Sequence, residues 1–325
     1  MGQGKFMKRA LIVGINDYEK ISPLRGCVND AKNMNNLVSK NGDGSPNFDV
    51  KLVTSESGNK ITKKEMKAAL TDLLIKPADM AFFYFSGHGT ATNLGGYLCT
   101  YETDRYDEGF AVQELLALIN QSPIKEIIVM IDCCQSGSLG NIPSIGSGTT
   151  TIKEGVSILT ASRENESAME INGAGIFTSL VCDALSGSAA DLLGTITPAG
   201  VYSHVEQSFG AWSQRPLFKS HVSRSTPLRK TAPKVDLTIL RKITTLFTDS
   251  DFIHQLNPSY EHTERKAIPE NVEKFKMLKK LQTVGLINVN REPDPDLYWA
   301  CMENKSCQLT ALGKFYWHLV NANKI

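Results

Sequence analysis

Continuous apolar runs alternate with helical periodicities over the first two thirds of this 325-residue chain. The runs are "ALIVGI" (10–15), "DVKLV" (49–53), "MAFFYF" (80–85), "EIIVMI" (126–131) and "VSILTA" (156–161). A strand with one wet face alternates apolar and polar residues, whereas an uninterrupted apolar run suits a parallel strand covered on both faces. Between the runs, Met66, Ala69, Leu70, Leu73 and Leu74 recur at helical spacing, as do Val112, Leu115, Leu116 and Ile119. A further helix, "IFTSLVCDALSG", closes on Gly187 as its C-cap. Alternating strands and helices on short links predict a doubly wound α/β sheet, in which ligands bind beyond the carboxyl ends of the strands.

The pattern changes twice. Residues 138–153, "SLGNIPSIGSGTTTIK", form a Gly/Ser/Thr-rich loop that is long for a compact domain. At "SRSTPLRKTAPK" (223–234) the chain turns basic and proline-containing and reads as a linker, dividing a domain at 1–228 from a second at 229–325. In the second, "VDLTILRKITTLF" and "ENVEKFKMLKKLQTVGLI" read as helices, the latter with Val272, Phe275, Leu278 and Leu281 on one stripe. "LYWACM" reads as a strand and "LTALGKFYWHLV" as a closing helix, which together predict a winged-helix-like α+β domain.

Composition narrows the classes. Basic and acidic residues nearly balance, 35 to 34, so no global field steers the chain to nucleic acid or membrane. Residues 229–325 carry 15 basic and 11 acidic side chains, a weak excess. Seven cysteines, an odd number without framework spacing, suit a reducing compartment, and no CxxC pair suggests structural zinc. No apolar segment approaches 18 residues and no signal-peptide pattern opens the chain, so the expectation is a soluble cytoplasmic protein.

The candidate chemistry lies where two apolar runs stop. One ends "IDCCQSGS" (131–138), bringing an acid and two thiols to a strand end; the other ends "FSGHGT" (85–90), placing His88 just past a strand tip. One helix and one strand separate His88 from Cys134, so a right-handed crossover makes the two tips neighbours. An imidazole beside a thiol can take its proton and generate the nucleophilic thiolate. The backbone N–H groups of Gly89 and Cys134 are candidates for an oxyanion hole. Strand alternation places Asp132 and Cys134 on one face and Cys133 on the other, where it is a small buried hydrophobe.

"YFSGHGT" followed by "IDCCQSG" resembles the caspase-like cysteine peptidases, and metacaspases and their bacterial relatives more closely than animal caspases. The likeness extends through "LRGCVNDAKNM" (24–34), "LTASRENESAMEINGAGIFTSLVCDAL" (159–185) and "QRPLF", covering roughly residues 8–222. It implies a caspase-like three-layer sandwich with a mostly parallel central sheet, His88 as general base and Cys134 as nucleophile. It also implies an S1 pocket in which Asp30 and Asp132 bind a P1 Arg or Lys; Ser162, after the fifth strand, is either a further substrate contact or a turn serine. Many metacaspases carry a long acidic calcium-binding segment after the histidine. Here only Glu102, Asp104, Asp107 and Glu108 are scattered behind it, so neither a metal nor another cofactor is expected. Such enzymes often cut themselves after the nucleophile strand. The candidate is Lys153, with Arg224, Arg229 or Lys230 as alternatives and no cut as the third possibility.

The resulting expectation is a cysteine endopeptidase, with bacterial relatives in stress or defence cell death, whose second domain docks a sensor or adaptor protein. Its alternatives are a winged-helix DNA-binding regulator or an interaction adaptor carrying a caspase-like domain. The near-neutral charge and intact His88 and Cys134 weigh against the regulator.

Overall fold

The computed structural model describes residues 7–92, 95–134, 152–161, 170–171, 174–209, 216–223 and 226–325. The chain divides into two units, residues 1–190 with 194–232, and residues 191–193 with 233–325.

In the first unit the elements run Lys8–Gly14 (β1), Cys27–Val38 (α1), Asp49–Thr54 (β2), Lys63–Ile75 (α2), Met80–Thr92 (β3), Gly95–Leu98 (β4), Phe110–Ala111 (β5), Val112–Gln121 (α3) and Glu126–Cys134 (β6). Then come Val156–Thr160 (β7), Glu170–Ile171 (β8), Ala174–Gly175 (β9), Ile176–Asp183 (α4), Thr195–Ile196 (β10), Pro198–Phe209 (α5), Leu217–His221 (β11) and Arg229–Lys230 (β12). The main sheet has the order β11-β7-β6-β3-β1-β2. All its neighbours are parallel except β11, which runs antiparallel to β7 along the edge.

Strand alternation divides the core between two faces. Leu11, Val13, Phe83, Phe85, Val129 and Ile131 pack with the apolar sides of α2 and α3. Ile12, Phe82, Tyr84, Ile128 and Met130 pack with α1, α4 and α5. This is the expected three-layer sandwich, and double-sided burial is why its central strands are apolar throughout. The start of α2 is fixed by a capping box: Glu65 N–H donates to Thr62 Oγ1 at 3.3 Å, and Thr62 N–H to Glu65 Oε2 at 2.8 Å. At the end of β1 a Cβ on Gly14 would lie 2.4 Å from the Cys27 carbonyl oxygen. Only glycine lets α1 come this close to the sheet, and that approach carries Asp30 to the strand ends.

Three local expectations need correction. β3 does not stop before His88: it continues to Thr92, because beyond the parallel ladder it pairs with β4. The "linker" is partly structural. Arg229 is buried, donating to the Leu185 and Lys40 carbonyls at 2.5 and 2.9 Å, and β12 pairs with β10. The division between the units accordingly follows Ala232. Finally, "LYWACM" is a helix, Leu297–Met302, whose N-cap Asp296 accepts from Trp299 N–H at 3.0 Å. Leu297, Ala300 and Cys301 are buried at i, i+3 and i+4, a helical stripe masked by two aromatic residues of high strand propensity.

The second unit contains Leu237–Leu240 (α6), Ile243–Leu246 (α7), His254–Gln255 (β13), Pro269–Thr283 (α8), Ile287–Val289 (β14), the helix just described (α9), Ser306–Leu309 (β15) and Ala311–Asn321 (α10). Its strands form an antiparallel sheet of order β13-β15-β14. Leu240, Phe247, Leu278 and Trp317 share its core, and the Trp317 indole N–H donates to the Phe247 carbonyl at 2.6 Å.

Candidate active site

The parallel ladder between β3 and β6 runs from Met80 opposite Glu126 to His88 opposite Cys134. Register therefore makes His88 and Cys134 adjacent on the last rung, where neighbouring strands stand about 4.8 Å apart. The two strands are parallel neighbours, as the sequence predicts, although the rung lies within β3 rather than beyond its end.

Two groups absent from the sequence reading hold the histidine. His88 is buried, and its backbone N–H donates to the Tyr18 hydroxyl at 2.7 Å, with the two rings 4.9 Å apart between centroids. The imidazole Nε2 lies 2.8 Å from the Ser22 carbonyl oxygen. A carbonyl only accepts, so Nε2 carries the proton; in the neutral ring Nδ1 is then the basic nitrogen. Neither Tyr18 nor Ser22 belongs to a recognisable motif, and a carbonyl contact leaves no trace in residue type.

Gly89 follows at the start of the β3–β4 pairing. The bond from Cys99 N–H to the His88 carbonyl, 3.0 Å, makes Gly89 and Leu98 a facing pair without hydrogen bonds of its own. The Gly89 N–H is thus not engaged by β4. A cleft of about 690 Å³ opens here, lined by His88, Gly89 and Thr90 together with Lys20, Ser22 and Arg105.

Alternation separates the residues of β6 as expected. Cys133 is buried in the α2/α3 core, where burial first and the neighbouring Asp132 second push its thiol pKa well above the ordinary value. Asp132 lies on the opposite face and is almost wholly buried, as is Asp30 on α1. Both carboxylates come within 4 Å of the point a Cβ on Gly175 would occupy, 2.7 Å for Asp132 and 3.6 Å for Asp30. Gly175 N–H donates to Asp30 Oδ2 at 3.4 Å. Any side chain at Gly175 would fill the space between the acids. Their field is felt by Cys182, whose thiol is pushed up to about 12 by burial, then by Asp30 and Asp132.

Ser86 also belongs to this group. It sits between Gly14 and Asp132 in the ladder, fully buried, and its hydroxyl has no hydrogen-bond partner among the described residues. A donor-acceptor group left unsatisfied beside a buried carboxylate is a place for a ligand atom. The sequence signal was available, since Ser86 has the strand parity of His88 and Asp132.

The remaining candidates lie elsewhere. Ser162 and Arg224 are outside the described residues. Lys153 precedes β7, at the opposite end of the sheet from His88; its ammonium donates to the Ser122 and Ile124 carbonyls at 2.6 and 2.8 Å, and burial lowers its pKa. Two of the acids after β3 are engaged locally. Asp104 accepts from Tyr106 and Asp107 N–H at 2.7 and 3.0 Å and from Lys20 at 3.2 Å, and Asp107 accepts from Lys63 at 3.2 Å. Among the described residues no cluster of three or more His, Cys, Asp or Glu is arranged to hold a metal ion.

A family model described as "Caspase domain" matches residues 7–226, more than half of the chain. The chain belongs to the caspase-domain family. Members of this family of cysteine-type peptidases include the fungal metacaspases it resembles. It is 33% identical over 166 residues to Metacaspase-1A of Aspergillus oryzae, covering 45% of this chain and 38% of the relative. It is 31% identical over 166 residues to Metacaspase-1 of Botryotinia fuckeliana, again 45% and 38%. The chain thus spans about two fifths of the length of these relatives. The caspase fold is also found in the crystal structure of Caspase-1 from Spodoptera frugiperda, with TM-score 0.53 and 15% identity over 70% of this chain and 91% of that one. Protein GSU0716 of Geobacter sulfurreducens aligns with TM-score 0.51 and 14% identity over 70% and 98%.

Proposed function

We propose that this caspase domain is a cysteine endopeptidase that cleaves after Arg or Lys, with His88 as general base and Cys134 as nucleophile. The observation that carries the reading is the shared rung of His88 and Cys134, combined with the Nε2 bond to the Ser22 carbonyl. With Nε2 engaged in that bond, Nδ1 takes the thiol proton in this reading. The thiolate attacks the scissile carbonyl, and the developing oxyanion is met by the N–H groups of Gly89 and Cys134. Collapse of the intermediate releases the amine, protonated by His88, and leaves a thioester on Cys134. Water, deprotonated by His88, then hydrolyses the thioester and frees the thiol.

Asp30, Asp132 and the unsatisfied Ser86 hydroxyl support a basic P1 residue. Two buried acids beside an open acceptor repel a P1 aspartate and favour a guanidinium or ammonium. Self-processing after Lys153 remains part of the proposal only as a reaction between molecules, because Lys153 lies at the far end of its own sheet. The second unit is proposed as a winged-helix-like docking module for a sensor or adaptor protein.

The deciding experiment is a peptide library scored at P1 with the wild-type protein and Cys134→Ala. Cleavage after Arg and Lys by the wild type alone is expected. Cleavage after Asp, or undiminished cleavage by Cys134→Ala, would sink the proposal.

A further inference from the structure

Behind the paired acids lies a buried chain of two hydroxyls. Tyr84, wholly enclosed on β3, brings its phenolic oxygen to 2.6 Å from Thr178 Oγ1 on α4, and Thr178 Oγ1 lies 2.5 Å from Asp132 Oδ2. The proton order follows from chemistry. An ionised carboxylate only accepts, so Thr178 donates to Asp132, and the phenol must then donate to Thr178. Burial, followed by the charges of Asp132 and Asp30, raises the Tyr84 pKa well above the ordinary value, so that proton stays in place. Neither residue is needed as a packing group alone. Phenylalanine would fill the site of Tyr84, and valine that of Thr178.

We propose that Tyr84 and Thr178 are positioning residues that fix the plane of the Asp132 carboxylate and thereby set a preference for Arg over Lys at P1. The inference rests on the proposed basic P1 pocket. A guanidinium is planar and binds a carboxylate through two parallel bonds, so it needs the acid held in one plane; an ammonium is a point charge that tolerates rotation. Clamping one oxygen through Thr178, itself oriented by Tyr84, supplies that constraint.

The test uses the full chain and two peptide substrates that differ only in Arg or Lys at P1, with kcat and KM measured separately. Tyr84→Phe is expected to lower the Arg/Lys ratio of kcat/KM by roughly 2–10-fold, the scale of one neutral hydrogen bond. Thr178→Val, which removes a bond to a charged group, should lower it by roughly 10–100-fold, mainly through KM for the Arg substrate. Thr178→Ser retains the hydroxyl and should keep the ratio within about twofold of wild type. Either Tyr84→Phe or Thr178→Val decides the matter if the other fails to fold. Equal losses on both substrates, or an unchanged ratio, would overturn the relay while leaving the basic pocket standing. A wild-type protein indifferent to P1 charge would remove the pocket and the relay together.

Discussion

His88 and Cys134 are register partners on the final rung of the β3–β6 ladder, held there by the same parallel pairing that builds the core. The placement of the proposed base is therefore not a property of a loop. Eight rungs of buried backbone pairing precede it, and the imidazole is tied a second time through the Ser22 carbonyl. A site mounted on rigid strands holds its reacting groups more closely than one on a mobile segment.

The two adjacent cysteines should behave oppositely. Cys134→Ala is expected to abolish peptide cleavage, whereas Cys133→Ala should keep most of it, because the Cys133 thiol is buried and held protonated. Assays of both variants, with thermal unfolding to confirm folding, test this. Inactivity of a folded Cys133→Ala protein would reverse the assignment.

Asp132→Ala should lower kcat/KM on P1-Arg substrates by about 100-fold or more, the scale of losing a buried charge-assisted contact. Substrates with P1 Asp should not become good ones, since Asp30 remains. Steady-state kinetics on matched peptides give the answer.

Calcium should matter little. Asp104 and Asp107 are occupied by backbone N–H groups and by Lys20 and Lys63. Activity in excess chelator is expected within a few-fold of activity in added calcium; a strict millimolar requirement would contradict this.

The second unit should lose stability in acid. His254 Nδ1 donates to the Leu246 carbonyl at 2.9 Å, so Nε2 accepts from the Tyr260 hydroxyl, also 2.9 Å, and the buried ring is neutral. Burial lowers its folded pKa below 6.5, the ordinary value. Below that value the unfolded chain binds a proton that the folded chain does not, so stability falls as pH drops through the unfolded pKa. Denaturant midpoints of the second unit's transition from pH 7.5 to 5 should decrease, and the decrease should shrink in His254→Gln. An equal decrease in that variant would assign it to other groups.

DNA binding by the second unit should be weak and salt-sensitive. Lys274 and Lys276 on α8 pair with Glu270 and Glu273 on the same helix, which reduces the charge available for phosphates. Titration with duplex DNA at physiological salt should find no sequence-specific complex near 10⁻⁸ M.

The central strands were legible in the residue pattern, because burial on both faces forces uninterrupted apolar runs, and so were α2, α3 and α4, because each shows one apolar stripe. The pattern also pointed to His88 and Cys134 as neighbours, since each lies at the end of an apolar run and a short crossover joins the two; the β3–β6 register puts them on one rung. Where local signals competed it misled: the aromatics of "LYWACM" suggested a strand, but capping by Asp296 and a buried i, i+3, i+4 stripe made a helix. Tertiary structure alone decided the contacts across distant elements. Ser22 acts through a carbonyl that every residue type possesses, and Tyr18 and Thr178 reach their partners from 70 and 46 residues away. The meeting of Asp30 and Asp132 beside Gly175 depends on how closely α1 and α4 approach the sheet. Periodicity records which face of an element is buried; what that face touches is settled only when the layers pack.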